Sequence, residues 1–274
     1  MVRRMGYASA SAAAIAALIA SLAVGSVGSL AQSATTDVPP QLSFECRVKS
    51  PVFEGKSPLR IVRRAIREKK PIRVLAIGSS STVGVGASSP HASYPVRLEN
   101  DLEGMLKGLD VEVINRGVSG EVAEGAADRM KLEVAEHRPH LVVWQVGTND
   151  AMARIDLQRF EAEVRDTLRW LAESRIDVVL IDPQFVDRLA QDEDYRGIVQ
   201  AIARLADEEH VLLVNRFDTM ADLAKAKGNG AFLARDQFHL NDLGYKCMAE
   251  YAARAIVAGI IQAETEKDTS PRPN

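Results

Sequence analysis

RVLAIGSSST, Arg73 to Thr82, decides how the rest of the chain reads. An apolar, partly β-branched run ends at a glycine, and three serines and a threonine follow. The run is nearly continuous rather than alternating, as expected of a parallel strand covered on both faces. Four more runs share this character: VEVINRG (111–117), LVVWQVG (141–147), DVVLID (177–182) and VLLVNR (211–216). Between them lie 3.6-period patterns over about 94–107, 121–137, 157–174 and 194–209, and a last one over about 241–262. Strand and helix alternate throughout, which predicts one three-layer α/β domain on a parallel sheet.

The ends differ from this body. Arg3 and Arg4 precede a small and apolar run from Ala8 to Ala31, and no acidic residue occurs before Asp37. That order reads as a secretory signal peptide over 1–31. An uncleaved anchor is the other reading, but the Ala, Ser and Gly content makes a weak span. The rest of the protein is then expected to be periplasmic or secreted, touching membrane only through this segment if it is retained. Residues 32–71 read as an irregular, proline-containing lead-in followed by a basic helix, IVRRAIREKK (61–70). The basic face fits solvent or an anionic surface. Residues 72–262 form the α/β domain, and 263–274 a polar, disordered tail. Cys46 and Cys247 are the two cysteines. Export would let them bridge the lead-in to the last helix, and two unpaired thiols are the alternative. Formal charge is −3 over 274 residues, and nothing in that balance points to nucleic acid.

In an open parallel sheet, ligands bind beyond the carboxyl ends of the strands. The first strand is followed by Gly78-Ser79-Ser80-Ser81-Thr82, the second by Gly117-Val118-Ser119-Gly120, and the third by Gly147-Thr148-Asn149-Asp150. Asp236-Gln237-Phe238-His239 precedes the last helix. Singly, these are turn formers and helix caps. Together they supply a hydroxyl, a base, a carboxylate beside the base, and donors for an oxyanion. Among the histidines, His137, His140 and His210 precede strands, at the wrong end of the sheet. His91 is on the correct side but has no carboxylate close in sequence. His239 has Asp236 three residues earlier, a spacing that puts both on one face of a tight turn.

The order of these motifs resembles the SGNH/GDSL hydrolase family of esterases and lipases. Its first block, Gly-Asp-Ser-Leu, stands here as Gly78-Ser79-Ser80-Ser81. The resemblance implies that Ser80 is the nucleophile and, with Gly120 and Asn149, an oxyanion donor. It implies a triad completed by Asp236 and His239, in the Asp-x-x-His block. It also implies a three-layer α/β/α sandwich on a flavodoxin-like five-stranded parallel sheet. The family's aspartate before the nucleophile is Ser79 here, and its leucine after it is Ser81, which puts the support of the loop in question rather than the chemistry. No cofactor is implied, and no cluster in the sequence has zinc-site spacing.

The expected activity is hydrolysis of a carboxylic ester. The loop 83–95 is small and polar with one tyrosine, which points to small acyl groups on a polar alcohol such as an O-acetylated glycan. Acyl transfer to a sugar, lysophospholipid or thioester hydrolysis, and glycan binding without catalysis are the alternatives. Oligomeric state is not readable.

Overall fold

A computed structural model describes residues 41–268, all within one unit. The expected signal segment and residues 269–274 lie outside the described residues. Five parallel strands form the body of the sheet: β2 (Ile72–Gly78), β3 (Val111–Gly117), β4 (Leu141–Gln145), β5 (Asp177–Ile181) and β6 (Leu212–Val214). A sixth, β1 (Phe53–Glu54), pairs antiparallel with β6, so the order is β1-β6-β5-β4-β2-β3. The sheet therefore has six strands where five were expected. Two residues between Pro51 and Gly55 are too few to display a strand period, which is why the lead-in reads as irregular.

Successive residues of β2 feed opposite cores. Val74 and Ala76 join the layer of α1 (Arg60–Arg67), α3 (Tyr94–Met105) and α10 (Asp242–Asp268). Leu75 and Ile77 join the layer of α4 (Ala123–His137), α6 (Leu157–Glu173) and α8 (Glu193–Glu208). All four are fully buried, which explains the unbroken apolar run: both faces of a central parallel strand are interior. β3, at an edge, is buried only at Val111. Three short helices, α2 (Ser80–Val83), α5 (Thr148–Met152) and α7 (Asp187–Ala190), and the longer α9 (Arg216–Lys227) complete the fold.

β2 and β3 end where their apolar runs do, at Gly78 and Gly117, whereas β4, β5 and β6 end one or two residues sooner. Val146, Asp182 and Asn215 leave the sheet and begin the turns above it. α10 continues to Asp268, past the point where a disordered tail was expected. The stretch AETEKD (263–268) is polar but made mostly of strong helix formers, so composition and helix propensity disagree there and the helix prevails.

The lead-in is stitched to the last helix. Cys46 and Cys247 form a disulfide with Cα atoms 5.1 Å apart, which settles the two open readings of these cysteines. Tyr251 Oη donates to Cys46 O at 2.7 Å, and Leu59 N–H donates to Gly259 O at 3.0 Å. A side chain at Gly259 would stand 2.7 Å from Leu59 Cγ, so only glycine permits this approach. Among the described residues, no helix is long and apolar enough to cross a membrane. The disulfide closes a long loop, so the double variant Cys46→Ala/Cys247→Ala should lose ~2–4 kcal/mol of stability. Its melting temperature should fall by about 5–10 °C. A calorimetric shift below about 1 °C would contradict this.

Candidate active site

β2 sends its connection to β3 on one side, while β4 lies on the other, so the strand order reverses between the parallel neighbours β2 and β4. Such a switch point opens a crevice beyond the strand ends. Gly78 closes β2 there. A side chain at Gly78 would meet Gln145 O and Thr82 Oγ1, each at 2.6 Å. The glycine thus lets the next turn fold directly over the end of β4. Ser79 precedes α2, and Ser80 is its first residue, so the Ser80 N–H has no acceptor within the helix.

Ser80 is partly buried, and its Oγ lies 3.0 Å from His239 Nε2. His239 Nδ1 lies 2.6 Å from Asp236 Oδ2. The other Asp236 oxygen accepts the N–H groups of Phe238 and His239, each at 3.0 Å. Asp236 thus caps its own turn and faces the ring at once. Burial pushes its carboxyl up, but the hydrogen bonds from His239 and the two backbone N–H groups outweigh that, and it sits below the ordinary carboxylate value. A carboxylate on Nδ1 fixes the tautomer that leaves Nε2 free to take the serine proton.

The expected oxyanion donors converge on this turn. Val118 N–H donates to Gly78 O at 2.8 Å, which ties the loop carrying Gly120 to the end of β2. Gly120 is exposed, with φ +81°, and among the described residues no group accepts its N–H. One N–H of the Asn149 amide donates to Glu121 O at 2.8 Å, which leaves the second N–H to serve a ligand. Glu121 is held by both carboxylate oxygens on Arg129, at 2.6 and 2.7 Å. Asp150 does not cap α5. Its Oδ1 accepts Ala123 N–H at 2.8 Å at the start of α4, and burial raises its carboxyl. Asn241 caps α10 by accepting the N–H groups of Leu243 and Gly244.

The other histidines lie elsewhere. His140 Nδ1 accepts Arg73 N–H at the start of β2, and His137 contacts Arg116 at the end of α4. His91 is exposed in a single turn after Ser89. Glu133, Glu136 and His137 bring possible metal-ligand atoms together at the far end of α4, where Arg116 and Arg129 already pair with Glu133.

Sequence reasoning missed two buried residues under the site. Gln184 follows β5. Its Oε1 accepts from Ser81 Oγ at 3.2 Å and its Nε2 donates to Phe238 O at 2.9 Å. Arg216 follows β6, is 1% exposed, and donates to Ser81 Oγ at 3.1 Å and to Asp182 O at 2.8 Å. Both lie just past carboxyl ends of strands, so the positional rule that picked out the other turns extends to them.

Residues 45–262 match the profile of the non-GDSL lipase-like family. The chain belongs to that family. Its name agrees with the first block, where Gly-Ser-Ser-Ser replaces Gly-Asp-Ser-Leu. An acetylxylan esterase of Geobacillus stearothermophilus is 24% identical over 192 residues, covering 65% of this chain and 84% of its own length. The fold is shared with solved SGNH/GDSL hydrolases. TesA superposes with a TM-score of 0.59 at 20% identity, covering 67% of this chain and 97% of its own. A two-domain esterase active on acetylated mannans gives 0.65 at 16% identity, covering 83% and 61% respectively. This member of the non-GDSL lipase-like family is therefore an ester hydrolase of the SGNH/GDSL type.

Asp182, beside Arg216, is buried. Burial pushes its carboxyl up to about 7, against the opposing pull of Phe217 N–H and the Arg216 charge. An unfolded aspartate titrates near about 4, so between about pH 4 and 7 the folded chain keeps a proton that the unfolded chain has lost. This group therefore costs increasing stability as pH rises through that window. Asp182→Asn imitates the protonated form. Its melting temperature should match that of the wild type near about pH 4 and exceed it near about pH 8. An equal gap at both pH values would contradict the assignment.

Proposed function

We propose that the protein is an exported serine esterase that removes small acyl groups, acetyl above all, from a polar alcohol such as a glycan hydroxyl. The observation that carries this reading is the unbroken chain from Asp236 through His239 to Ser80 Oγ, beside Gly120 N–H and the Asn149 amide. Ser80 Oγ attacks the ester carbonyl carbon as its proton passes to His239 Nε2. The carbonyl π electrons move to oxygen, where the N–H groups of Ser80 and Gly120 and the Asn149 amide receive the charge. Collapse expels the alcohol oxygen, which takes the proton back from His239. Water then repeats both steps on the acyl-serine and releases the acid. Asp236 keeps its charge throughout and stabilises the imidazolium.

Substrate class is supported by the surroundings. A cavity of about 220 Å³ beside α5, the helix that carries Asn149, is lined by Met152, Arg154, Arg188, Asp192 and Tyr195 among others. Arg188 also stacks on Phe238, next to the base. Charged groups over a small apolar floor suit a hydroxyl-rich leaving group better than a long acyl chain. The two carbohydrate-ester relatives, one acting on xylan acetyl groups and one on acetylated mannans, point the same way. Export is supported by the basic-then-apolar N-terminus and by the disulfide, since such bonds persist in oxidising compartments.

Ser80→Ala should abolish hydrolysis of p-nitrophenyl acetate, whereas Ser79→Ala and Ser81→Ala should lower it and leave it measurable. Full activity in Ser80→Ala would sink the nucleophile assignment. On an acyl series, kcat/KM should fall by about tenfold or more from acetate to octanoate. A preference for octanoate would overturn the small-acyl reading.

A further inference from the structure

Arg216 is an unusual residue to find beneath a hydrolase site. Its guanidinium is among the largest fully buried side chains, yet among the described residues no carboxylate forms an ion pair with it. A buried charge without a partner is costly, so a stable fold keeps one only where hydrogen bonds compensate it. Its compensating contacts run to the turns that carry the chemistry. Nη1 donates to Ser81 Oγ, the neighbour of the nucleophile, at 3.1 Å. Nη2 approaches Thr148 Oγ1, the neighbour of Asn149, at a longer 3.4 Å. Nε donates to Asp182 O at the end of β5 at 2.8 Å. Ser81 passes the link on through Gln184 to Phe238 O, beside His239. One cation therefore touches the nucleophile turn and the oxyanion turn directly, and reaches the histidine turn through the side chains of Ser81 and Gln184.

We propose that Arg216 is a positioning residue for ester hydrolysis: it locks the Ser80, Asn149 and His239 turns into one hydrogen-bonded set and places a buried positive charge beneath them. This rests on the roles given above to Ser80, Asn149 and His239. Only a forked, planar donor reaches all three acceptors. A lysine keeps the charge but cannot span them, and a methionine keeps the volume but neither. Substrate need not touch Arg216, so its loss should appear in kcat rather than KM.

The test measures kcat and KM on p-nitrophenyl acetate for the wild type, Ser80→Ala, Arg216→Met, Arg216→Lys and Ser81→Ala. Rates are expressed per reactive serine, counted by labelling to completion with a fluorophosphonate probe. We expect Arg216→Met to lose about 10²-fold in kcat per labelled site, on the scale of a lost oxyanion donor. KM should stay within about threefold of the wild type. Arg216→Lys should recover about tenfold of that loss because the charge is restored. Arg216→Met at full kcat per labelled site overturns the proposal, because the residue would then serve folding alone. Should Arg216→Met fail to fold, Arg216→Lys and Ser81→Ala decide: wild-type kcat in both overturns it, and a fall in kcat at constant KM supports it. Absence of hydrolysis by the wild type would overturn the esterase reading itself and this proposal with it. Wild-type hydrolysis lost in Ser80→Ala but kept in Arg216→Met would overturn only the role of Arg216.

Discussion

The hydrogen bond from Ser80 to His239 joins residues 159 positions apart, and much of the upper face of the sheet serves to make it possible. The base stands on a turn before α10 and the serine on a turn after β2, so two loops must be held together against their own freedom. Several contacts do this. Tyr245 Oη donates to Val85 O at 2.6 Å, and Ser88 donates to the Asp242 carboxylate through both N–H and Oγ. A side chain at Gly86, with φ +93°, would stand 2.5 Å from Leu240 O, so that glycine allows the nucleophile loop to rest directly on the histidine loop. The disulfide anchors α10 to the chain ahead of the sheet. Each contact lies away from the reacting atoms, and together they fix the distance that proton transfer needs.

The sequence revealed whatever is periodic or local. The five parallel strands appear as apolar runs because both faces of β2, β4 and β5 are interior. Asp236 and His239 are found from each other because they stand three positions apart in one turn. What stayed hidden depends on contacts distant in sequence. β1 is two residues long and exists because β6 offers a free edge. Arg216 looked like the end of a strand, since Asn215-Arg216 follows Leu212–Val214, and only the folded chain shows that it is buried among Ser81, Thr148 and Asp182. Gln184 gives no pattern at all in the sequence. The cysteine pairing required a distance that no spacing supplies.

The replacement at position 79 shows how a changed motif keeps its geometry. Ser79 N–H and Oγ–H both donate to Gln145 Oε1, at 3.1 and 3.0 Å, in a buried setting. An aspartate there would bring a carboxylate against that same oxygen. Reversing the amide would relieve this but set Gln145 Nε2 against Ser79 N–H, donor facing donor. Serine at 79 and glutamine at 145 are thus a matched pair, and the turn is supported by a neutral link between β2 and β4 instead of a charged one.

That neutrality has an electrostatic consequence. Negative charge develops on the substrate oxygen during reaction, and any fixed anion beneath it would oppose the step. Ser79 removes one carboxylate from the floor of the site. Burial raises both Asp150 and Asp182 above their ordinary values, so a fixed negative charge is costlier at either than in water. Asp236 keeps its charge, but it is about half exposed and pairs with the His239 ring, where the charge assists the imidazolium. Beneath the nucleophile and oxyanion turns, the Arg216 guanidinium supplies a buried positive charge. The hydrogen bonds of Arg216 to Ser81 and Thr148 and the loss of the aspartate at position 79 then act in one direction: both bias the field at the strand ends towards an anion. On this view the first block departs from Gly-Asp-Ser-Leu together with the floor beneath it, and Ser79, Ser81, Gln184 and Arg216 are best understood as one arrangement.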